Sequence, residues 1–177
     1  MRNYPEIIEM KRILIIGCCG AGKTTLALEL GDRFGIPVHH LDQLWWLPGW
    51  TEDSPENFDA KLAEILKEDQ WILDGNYNRT LPERLKYADT VIFLDYSRLR
   101  CMYQVLKRTF RFHGTARADM VPGCPERFDR EFLRYVWNYN RDMRPRVENA
   151  LQDFPGNVFR FKSPRKAGAC LFRQNSR

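Results

Sequence analysis

The chain has 177 residues, 44% of them hydrophobic and 29% charged, the proportions of one ordinary globular domain. No apolar run approaches the roughly 20 residues that span a bilayer, and Met1-Arg2-Asn3-Tyr4-Pro5-Glu6 has no long apolar segment behind it. Neither a membrane anchor nor a secretory leader is therefore expected, and the cytoplasm is the expected location. The net charge of +5 suits a partner that carries phosphate, nucleotide or nucleic acid alike.

In chain order, Ile13-Leu14-Ile15-Ile16 is a short apolar run that ends at Gly17, which predicts a strand buried on both faces, as in a parallel sheet. Leu26, Ala27, Leu30 and Phe34 then recur at helical spacing as far as Gly35. Residues 36–41 read as a second strand. Residues 51–54 carry helix-start chemistry, with Pro55 suited to the first helical position and Phe58, Leu62, Ile65 and Leu66 as the apolar stripe. Trp71-Ile72-Leu73, closed by Asp74-Gly75, predicts a third strand, residues 91–94 a fourth and residues 158–161 a fifth. Between the last two lies an Arg-rich, mainly helical region with a break near residues 114–125. After about Lys166 the periodicity fades, and a poorly ordered tail is expected. Strands alternating with helical patterns predict a single α/β domain with a helix-covered parallel sheet.

The strongest chemical signal is Gly17-x-x-x-x-Gly22-Lys23-Thr24, which follows a buried strand and opens a helix, the setting in which this pattern cradles phosphates. Glycines let the chain turn tightly and aim N–H groups at phosphate oxygens, and the helix N-terminus adds positive potential. Gly17, Cys18, Cys19, Gly20, Ala21, Gly22, Lys23, Thr24 and Thr25 are thus the expected ATP-binding residues. Lys23 would reach the β- and γ-phosphates, and the Thr24 hydroxyl would bind Mg²⁺. The five cysteines, Cys18, Cys19, Cys101, Cys124 and Cys170, form no regular framework, which fits a reducing compartment. Cys18 and Cys19 read as small residues tolerated in the loop, with a redox switch on ATP binding as the sharper alternative.

Carboxylates at the C-terminal ends of strands sit where open α/β sheets bind ligands. Asp74 is the expected holder of Mg²⁺ through water, and Asp95 competes for that role. Asp42 is placed near the γ-phosphate, where it could take a proton from a substrate hydroxyl; a cap or turn role is the alternative. His39 and His40 alternate in facing, so at most one points at the site. Trp45, Trp46 and Trp50 fall within six residues and could form an aromatic wall for an acceptor, or a packed cover over the sheet edge.

Residues 98–146 hold Arg98, Arg100, Arg108, Arg111, Arg117, Arg127, Arg130, Arg134, Arg141, Arg144 and Arg146. Arg108 and Arg111 lie one helical turn apart and could converge on one anion, while Arg134 and Arg141 share a face. Such groups could neutralise charge on a transferring phosphoryl group or simply be solvated. Tyr135, Trp137 and Tyr139 are interleaved with them and could stack on bases, although some must face the core.

Taken together, these residues resemble the adenylate-kinase-like branch of P-loop kinases. More narrowly, His40-Leu41-Asp42-x-x-Trp45-Trp46-x-Pro48-Gly49-Trp50 and Asp74-Gly75-Asn76-Tyr77 are similar to bacterial proteins named for DNA topology modulation. The resemblance runs from about Lys11 to about Arg165. It implies a five-stranded sheet of order 2-3-1-4-5 with a mobile, Arg-rich helical lid over about residues 108–141. It also implies that Asp74 matches the aspartate of the D-G-F-P-R segment of nucleoside monophosphate kinases. Arg79 stands, one position late, for that segment's arginine, which grips the acceptor phosphate. Arg108 matches a lid arginine on the transferred phosphates, whereas Gln104 occupies the place of the arginine that stacks on adenine in adenylate kinases. Arg141, with Arg144, matches the second lid helix, and Arg165 the adenine-side loop after the last strand. Asp42 resembles the acceptor-side aspartate of shikimate-type kinases.

The expectation is an ATP- and Mg²⁺-dependent phosphotransferase acting on an unidentified small acceptor, whether nucleotide, nucleoside or another alcohol. Lys23, Arg108 and Arg141 would stabilise transferring charge, Thr24 and Asp74 would hold the metal, and Asp42 would orient the acceptor. Trp45, Trp50, Asn76, Tyr77 and Arg79 would line the acceptor side. The rival is a nucleic-acid-associated P-loop ATPase, resting on the basic, aromatic stretch 127–146. The kinase expectation is favoured because the arginines fall where a lid is expected and no DNA-reading motif is present.

Overall fold

The structure, a computed structural model, describes residues 10–115 and 120–172; Arg117 lies outside the described residues. The elements run β1 (Arg12–Gly17), α1 (Lys23–Phe34), β2 (Val38–His40), α2 (Leu41–Trp45), β3 (Trp46–Leu47), β4 (Thr51–Glu52), α3 (Pro55–Leu66) and β5 (Trp71–Asp74). They continue with α4 (Leu81–Tyr87), β6 (Thr90–Leu94), α5 (Arg98–Phe112), α6 (Arg130–Asp142), α7 (Arg144–Leu151), β7 (Asn157–Phe161) and α8 (Pro164–Leu171).

Among the described residues the main sheet has five strands in the order β2-β5-β1-β6-β7, all paired in parallel. Counting only these five, the order is the expected 2-3-1-4-5. β1 lies at the centre because its apolar residues are buried on both faces. Ile13 and Ile15 pack with Leu26, Leu30, Cys101, Val105, Val136 and Leu171, from α1, α5, α6 and α8. Leu14 and Ile16 pack on the other face with Phe58, Leu62, Leu81, Leu85 and Val147, from α3, α4 and α7. Each such fully buried aliphatic side chain contributes about 1.5–3 kcal/mol relative to exposure, so three layers held by β1 form the stable centre of the molecule.

Register decides where the chemistry lies. Ile15 aligns with Asp74 on β5, and Gly17 aligns with Leu94 on β6, so the glycine loop, Asp74 and Asp95 leave the same edge of the sheet. Gly17 has φ 146°, and a Cβ there would meet the Leu94 carbonyl oxygen at 2.6 Å. Gly20, at φ 79°, would place a Cβ 2.5 Å from the Cys101 carbonyl oxygen. Close packing of the loop on β6 and α5 therefore requires glycine at both places.

Several local expectations change. The second strand is only three residues long, because Leu41 turns inward as the buried residue of α2. Trp46, Leu47, Thr51 and Glu52 form an antiparallel hairpin around Pro48-Gly49, with Gly49 at φ 78°. Leu81–Tyr87, for which no periodicity was evident, forms α4 with Pro82 in its first turn. Of the tail expected to be poorly ordered after about Lys166, the part to Leu171 continues as α8, and residues 173–177 lie outside the described residues. Ser163 caps it by accepting from the Lys166 N–H, and Ala167 and Leu171 are buried. Two apolar contacts one turn apart suffice to dock a short helix, yet they leave almost no periodic signal. Among the described residues, no helix is long and apolar enough to cross a membrane.

Candidate functional site

The phosphate loop connects β1 to α1, and its N–H groups lie at the N-terminal end of a 12-residue helix, where the macrodipole favours anions. The loop is braced from three sides. Gly17 N–H donates to Asn76 Oδ1 at 3.1 Å. Cys18 Sγ donates to the Val136 carbonyl on α6 at 3.7 Å. Lys23 Nζ donates to the Cys18 carbonyl at 3.5 Å. Burial opposes the Lys23 charge, but Cys19, Asp74 and Asp42 outweigh it and the net shift of its pKa is upward. Lys23 therefore remains a cation beside the loop.

Thr24 and Asp74 meet as the sequence suggests. The Thr24 hydroxyl donates to Asp74 Oδ2 at 2.7 Å. His40 Nδ1 lies 3.1 Å from the same oxygen, whereas His39 turns away to Glu68 at 3.1 Å. One histidine thus points at the site, as alternation along β2 requires. Burial would raise the Asp74 pKa; the hydrogen bond from His40, the Lys23 charge and the Thr24 hydroxyl more than offset it, so Asp74 is held below the usual carboxylate range. Its second oxygen, Oδ1, is buried with no hydrogen-bond partner among the described residues. Asp95 is engaged elsewhere, 3.2 Å from Arg144 and 2.8 Å from Arg160. Asp95 ties β6 to α7 and β7, and Asp74 faces the loop.

A divalent cation fits beside Thr24 and Asp74. One hydroxyl and one ionised carboxylate with an unused buried oxygen form the partial oxygen shell that Mg²⁺ takes from proteins, the rest coming from phosphate and water. Among the described residues no three His, Cys, Asp or Glu side chains cluster as a self-sufficient metal site.

Beside the loop, which Asn76 touches, residues 75–77 meet α2. The Tyr77 hydroxyl donates to Asp42 Oδ1 at 2.8 Å, and burial followed by the Asp42 charge pushes the Tyr77 pKa far up. Tyr77 holds φ 35° and stacks on Phe58 at 5.1 Å, with Trp45 tilted against it at 6.2 Å. The strain of that backbone is sustained by Arg84, which sequence reasoning missed. Its guanidinium is fully buried and donates to the carbonyls of Gly75, Asn76 and Tyr77. Burial pulls its pKa down to about 9. A lone Arg in an amphipathic stretch carries no motif; only the neighbouring Gly75, a turn signal, hinted that this loop would need its carbonyls satisfied.

The remaining predicted residues are placed as follows. Arg108 lies 3.1 Å from Glu126 and near enough to the loop to act on Cys19. Arg111, expected to converge with it, is exposed over the ring of Phe112. Arg141 is exposed and paired with Asp142 at 2.6 Å, because α6 turns Val136 and Tyr139 inward and leaves Arg141 facing solvent. Arg144 belongs to the Asp95 pair and not to a lid face. Arg79 makes two 2.8 Å bonds to Asp59 and lies over the ring of Phe58 at 5.9 Å. Arg165 is exposed in the first turn of α8. Thr25 is exposed beside Thr24. Trp45 packs edge-on against Phe58 at 5.7 Å and joins the core. Trp50 donates from Nε1 to the Pro125 carbonyl at 2.9 Å, fastening the hairpin to the segment before α6. The tryptophan loop is thus largely cover, with Trp45 contributing its edge to the Tyr77 side.

No protein-family profile matches the chain, and no curated protein does. Solved structures do. A shikimate kinase from Bacteroides thetaiotaomicron is 18% identical, with 86% of each chain covered and a TM-score of 0.53. A shikimate kinase from Acinetobacter baumannii, in complex with shikimate, is 13% identical, covers 96% of this chain and 97% of its own, and has a TM-score of 0.59. A deoxyadenosine kinase from M. mycoides with bound dATP is 16% identical, with 85% of this chain and 90% of that one covered and a TM-score of 0.51. At these identities the likeness establishes the fold, an α/β P-loop fold of the kind these kinases share.

Proposed function

We propose that the protein is an ATP- and Mg²⁺-dependent phosphotransferase acting on a small hydroxylated acceptor. The observation that carries this reading is the facing of two carboxylates with different tasks across one phosphate loop: Asp74 on the Thr24 hydroxyl, and Asp42 on the Tyr77 hydroxyl. An ATPase that only hydrolyses has no need of the second arrangement.

In this reading the loop amides and Lys23 hold the triphosphate, and Thr24 and Asp74 hold Mg²⁺, which when bound neutralises phosphate charge. Asp42 orients the acceptor hydroxyl toward the γ-phosphorus and accepts its proton. The acceptor oxygen bonds to that phosphorus as the bond to the β–γ bridging oxygen breaks, and ADP leaves with the electron pair. Arg108, whose charge acts on Cys19 in the loop, stabilises charge on the transferring group. Arg141 takes part only on leaving Asp142, and Arg165 is assigned to the adenine side on the resemblance alone. α6 covers the loop through Cys18 and Val136 and excludes water, favouring transfer over hydrolysis.

The nucleic-acid reading is weakened by pairing. Of the basic stretch, Arg127, Arg141 and Arg144 are engaged by Asp129, Asp142 and Asp95, leaving fewer cations for a phosphate backbone. The deciding experiment is ADP release with Mg-ATP across a panel of alcohols. The kinase reading expects at least one acceptor to raise the rate above that with water and to carry the new phosphate. A nucleic-acid-stimulated rate that falls steeply with salt, with no acceptor phosphorylated, would establish the rival.

A further inference from the structure

His40 is buried at the last position of β2 and pairs in parallel register with Asp74 on β5. Side chains at paired positions of neighbouring strands leave the same face of the sheet, about 4.8 Å apart. The two therefore meet, with His40 Nδ1 3.1 Å from Asp74 Oδ2. The residues that follow lock this register. Gly75 holds φ 141°, and a Cβ on it would stand 2.9 Å from the Leu41 Cβ, while Leu41 is itself fully buried. The ends of β2 and β5 cannot slide past each other without disturbing that contact, so the histidine is built against the carboxylate.

A carboxylate turns about its terminal bond unless donors fix it. Asp74 Oδ2 receives two, from different elements: the Thr24 hydroxyl on α1 at 2.7 Å and His40 on β2 at 3.1 Å. Together they set the plane of the group and leave Oδ1, which has no hydrogen-bond partner among the described residues, as the oxygen open to a ligand. The same arrangement disposes Thr24, whose proton goes to Asp74 and whose oxygen lone pairs stay available to a cation. An ionised carboxylate only accepts, so His40 Nδ1 carries a proton. Burial raises the Asp74 pKa, and the His40 bond is the largest of the contacts that more than offset it. His39, one residue away, is turned to Glu68 at 3.1 Å and takes no part in this arrangement.

We propose that His40 is a positioning residue for the metal half of the site. It fixes the Asp74 carboxylate, and through it the Thr24 hydroxyl, in the orientation that receives a divalent cation, without ligating the cation itself. The proposal rests on the reading of Thr24 and Asp74 as the holders of Mg²⁺ and deepens it. Outer hydrogen bonds that orient a ligating carboxylate govern how tightly the cation is held, and here a single side chain supplies that bond from an edge strand.

The test reads the contribution of the metal to binding and needs no turnover. The affinity of a non-hydrolysable ATP analogue is measured by calorimetry with and without Mg²⁺, and the ratio is the Mg²⁺ gain. Wild type, Asp74→Asn, His40→Leu, His40→Asn, His39→Leu and the Asp74→Asn/His40→Leu double variant are compared, with circular dichroism to confirm folding. His40→Leu removes the donor. His40→Asn keeps one, because the amide nitrogen of Asn is bonded to Cγ as Nδ1 is. Loss of such an outer partner costs about tenfold in metal affinity, so the Mg²⁺ gain of His40→Leu should shrink about tenfold. Its affinity without Mg²⁺ should change less than about twofold, since the bond acts only through the metal's carboxylate. His40→Asn should recover most of the gain, His39→Leu should keep all of it, and His40→Leu should add nothing in the Asp74→Asn background. A full Mg²⁺ gain in His40→Leu overturns the proposal, as does an equal loss with and without Mg²⁺, which would mark a merely structural role. A further loss in the double variant also overturns it. If His40→Leu does not fold, His40→Asn decides: a folded protein with the wild-type gain supports the proposal, and one without it overturns it. Retention of the gain in Asp74→Asn defeats the underlying metal reading, and the proposal with it. Loss in Asp74→Asn with retention in His40→Leu overturns the proposal alone.

Discussion

The Thr24 hydroxyl and the Asp74 carboxylate are joined at 2.7 Å, so the first turn of α1 and the end of β5 share one oxygen atom, Oδ2, which also lies 3.1 Å from His40. Three elements, α1, β2 and β5, are thereby fixed around one carboxylate. The other Asp74 oxygen has no hydrogen-bond partner among the described residues, and burying it is unfavourable unless a ligand uses it.

Thr24→Val keeps the shape of the side chain and removes the hydroxyl. It should leave the fold intact and abolish the benefit of Mg²⁺ to ATP binding. Titrations with ATP, with and without Mg²⁺, should differ at least tenfold in affinity for the wild type and less than twofold for the variant. A variant that keeps the full Mg²⁺ effect would remove Thr24 from the metal site.

Tyr77→Phe deletes the donor to Asp42 but keeps the stacking on Phe58. The net loss of one hydrogen bond to a charged group is worth about 1.5 kcal/mol, so acceptor-dependent turnover should fall about tenfold. ATP affinity, measured by calorimetry, should change less than twofold. An equal loss in both would mean that Tyr77 acts through the general fold.

Arg84→Met removes three hydrogen bonds to a buried loop and leaves its carbonyls unsatisfied. The expected cost is about 3 kcal/mol in denaturant unfolding. Arg84→Lys should recover little of it, because one ammonium cannot span the carbonyls that a planar guanidinium bridges. Full stability in the lysine variant would show that the charge matters and the fork does not.

Asp53 accepts from the Ser54 N–H, the Asn57 side chain and Lys61. The Lys61 and Asn57 bonds, with the Ser54 N–H, lower its pKa to about 2. A depressed carboxylate stabilises the fold above its unfolded pKa of about 3.9, and this contribution is lost as pH falls through the folded value. Between about pH 4 and pH 2 the melting temperature of the wild type should therefore drop more steeply than that of Asp53→Asn. Parallel curves would show that Asp53 titrates normally.

Much of this was legible in sequence wherever the signal was local. The phosphate loop is a contiguous pattern between a strand and a helix, and Ser54-Pro55 marked α3, where Ser54 Oγ indeed accepts from the Asn57 N–H at 3.1 Å. The apolar runs located the central strands to within a residue or two, and the sheet order followed from the resemblance. What was not legible depends on distant partners. Asp95 and Asp74 look alike at the ends of their strands; only the arrival of Arg144 and Arg160 from later elements separates them. Arg79 was expected at the site by position in a motif, but it pairs with Asp59 from α3, which periodicity cannot weigh, whereas Arg141 pairs with its chain neighbour Asp142. Arg84 escaped notice because a buried arginine satisfied by backbone carbonyls leaves no pattern in the chain.

The central claim is that Lys23 and the loop around it hold the phosphates of ATP for transfer. Its most direct test is Mg-ATP turnover by Lys23→Ala beside the wild type, with circular dichroism to confirm that both are folded. The account predicts at least a thousandfold loss of turnover together with weakened ATP binding. A folded Lys23→Ala protein that turns over ATP at the wild-type rate would contradict it.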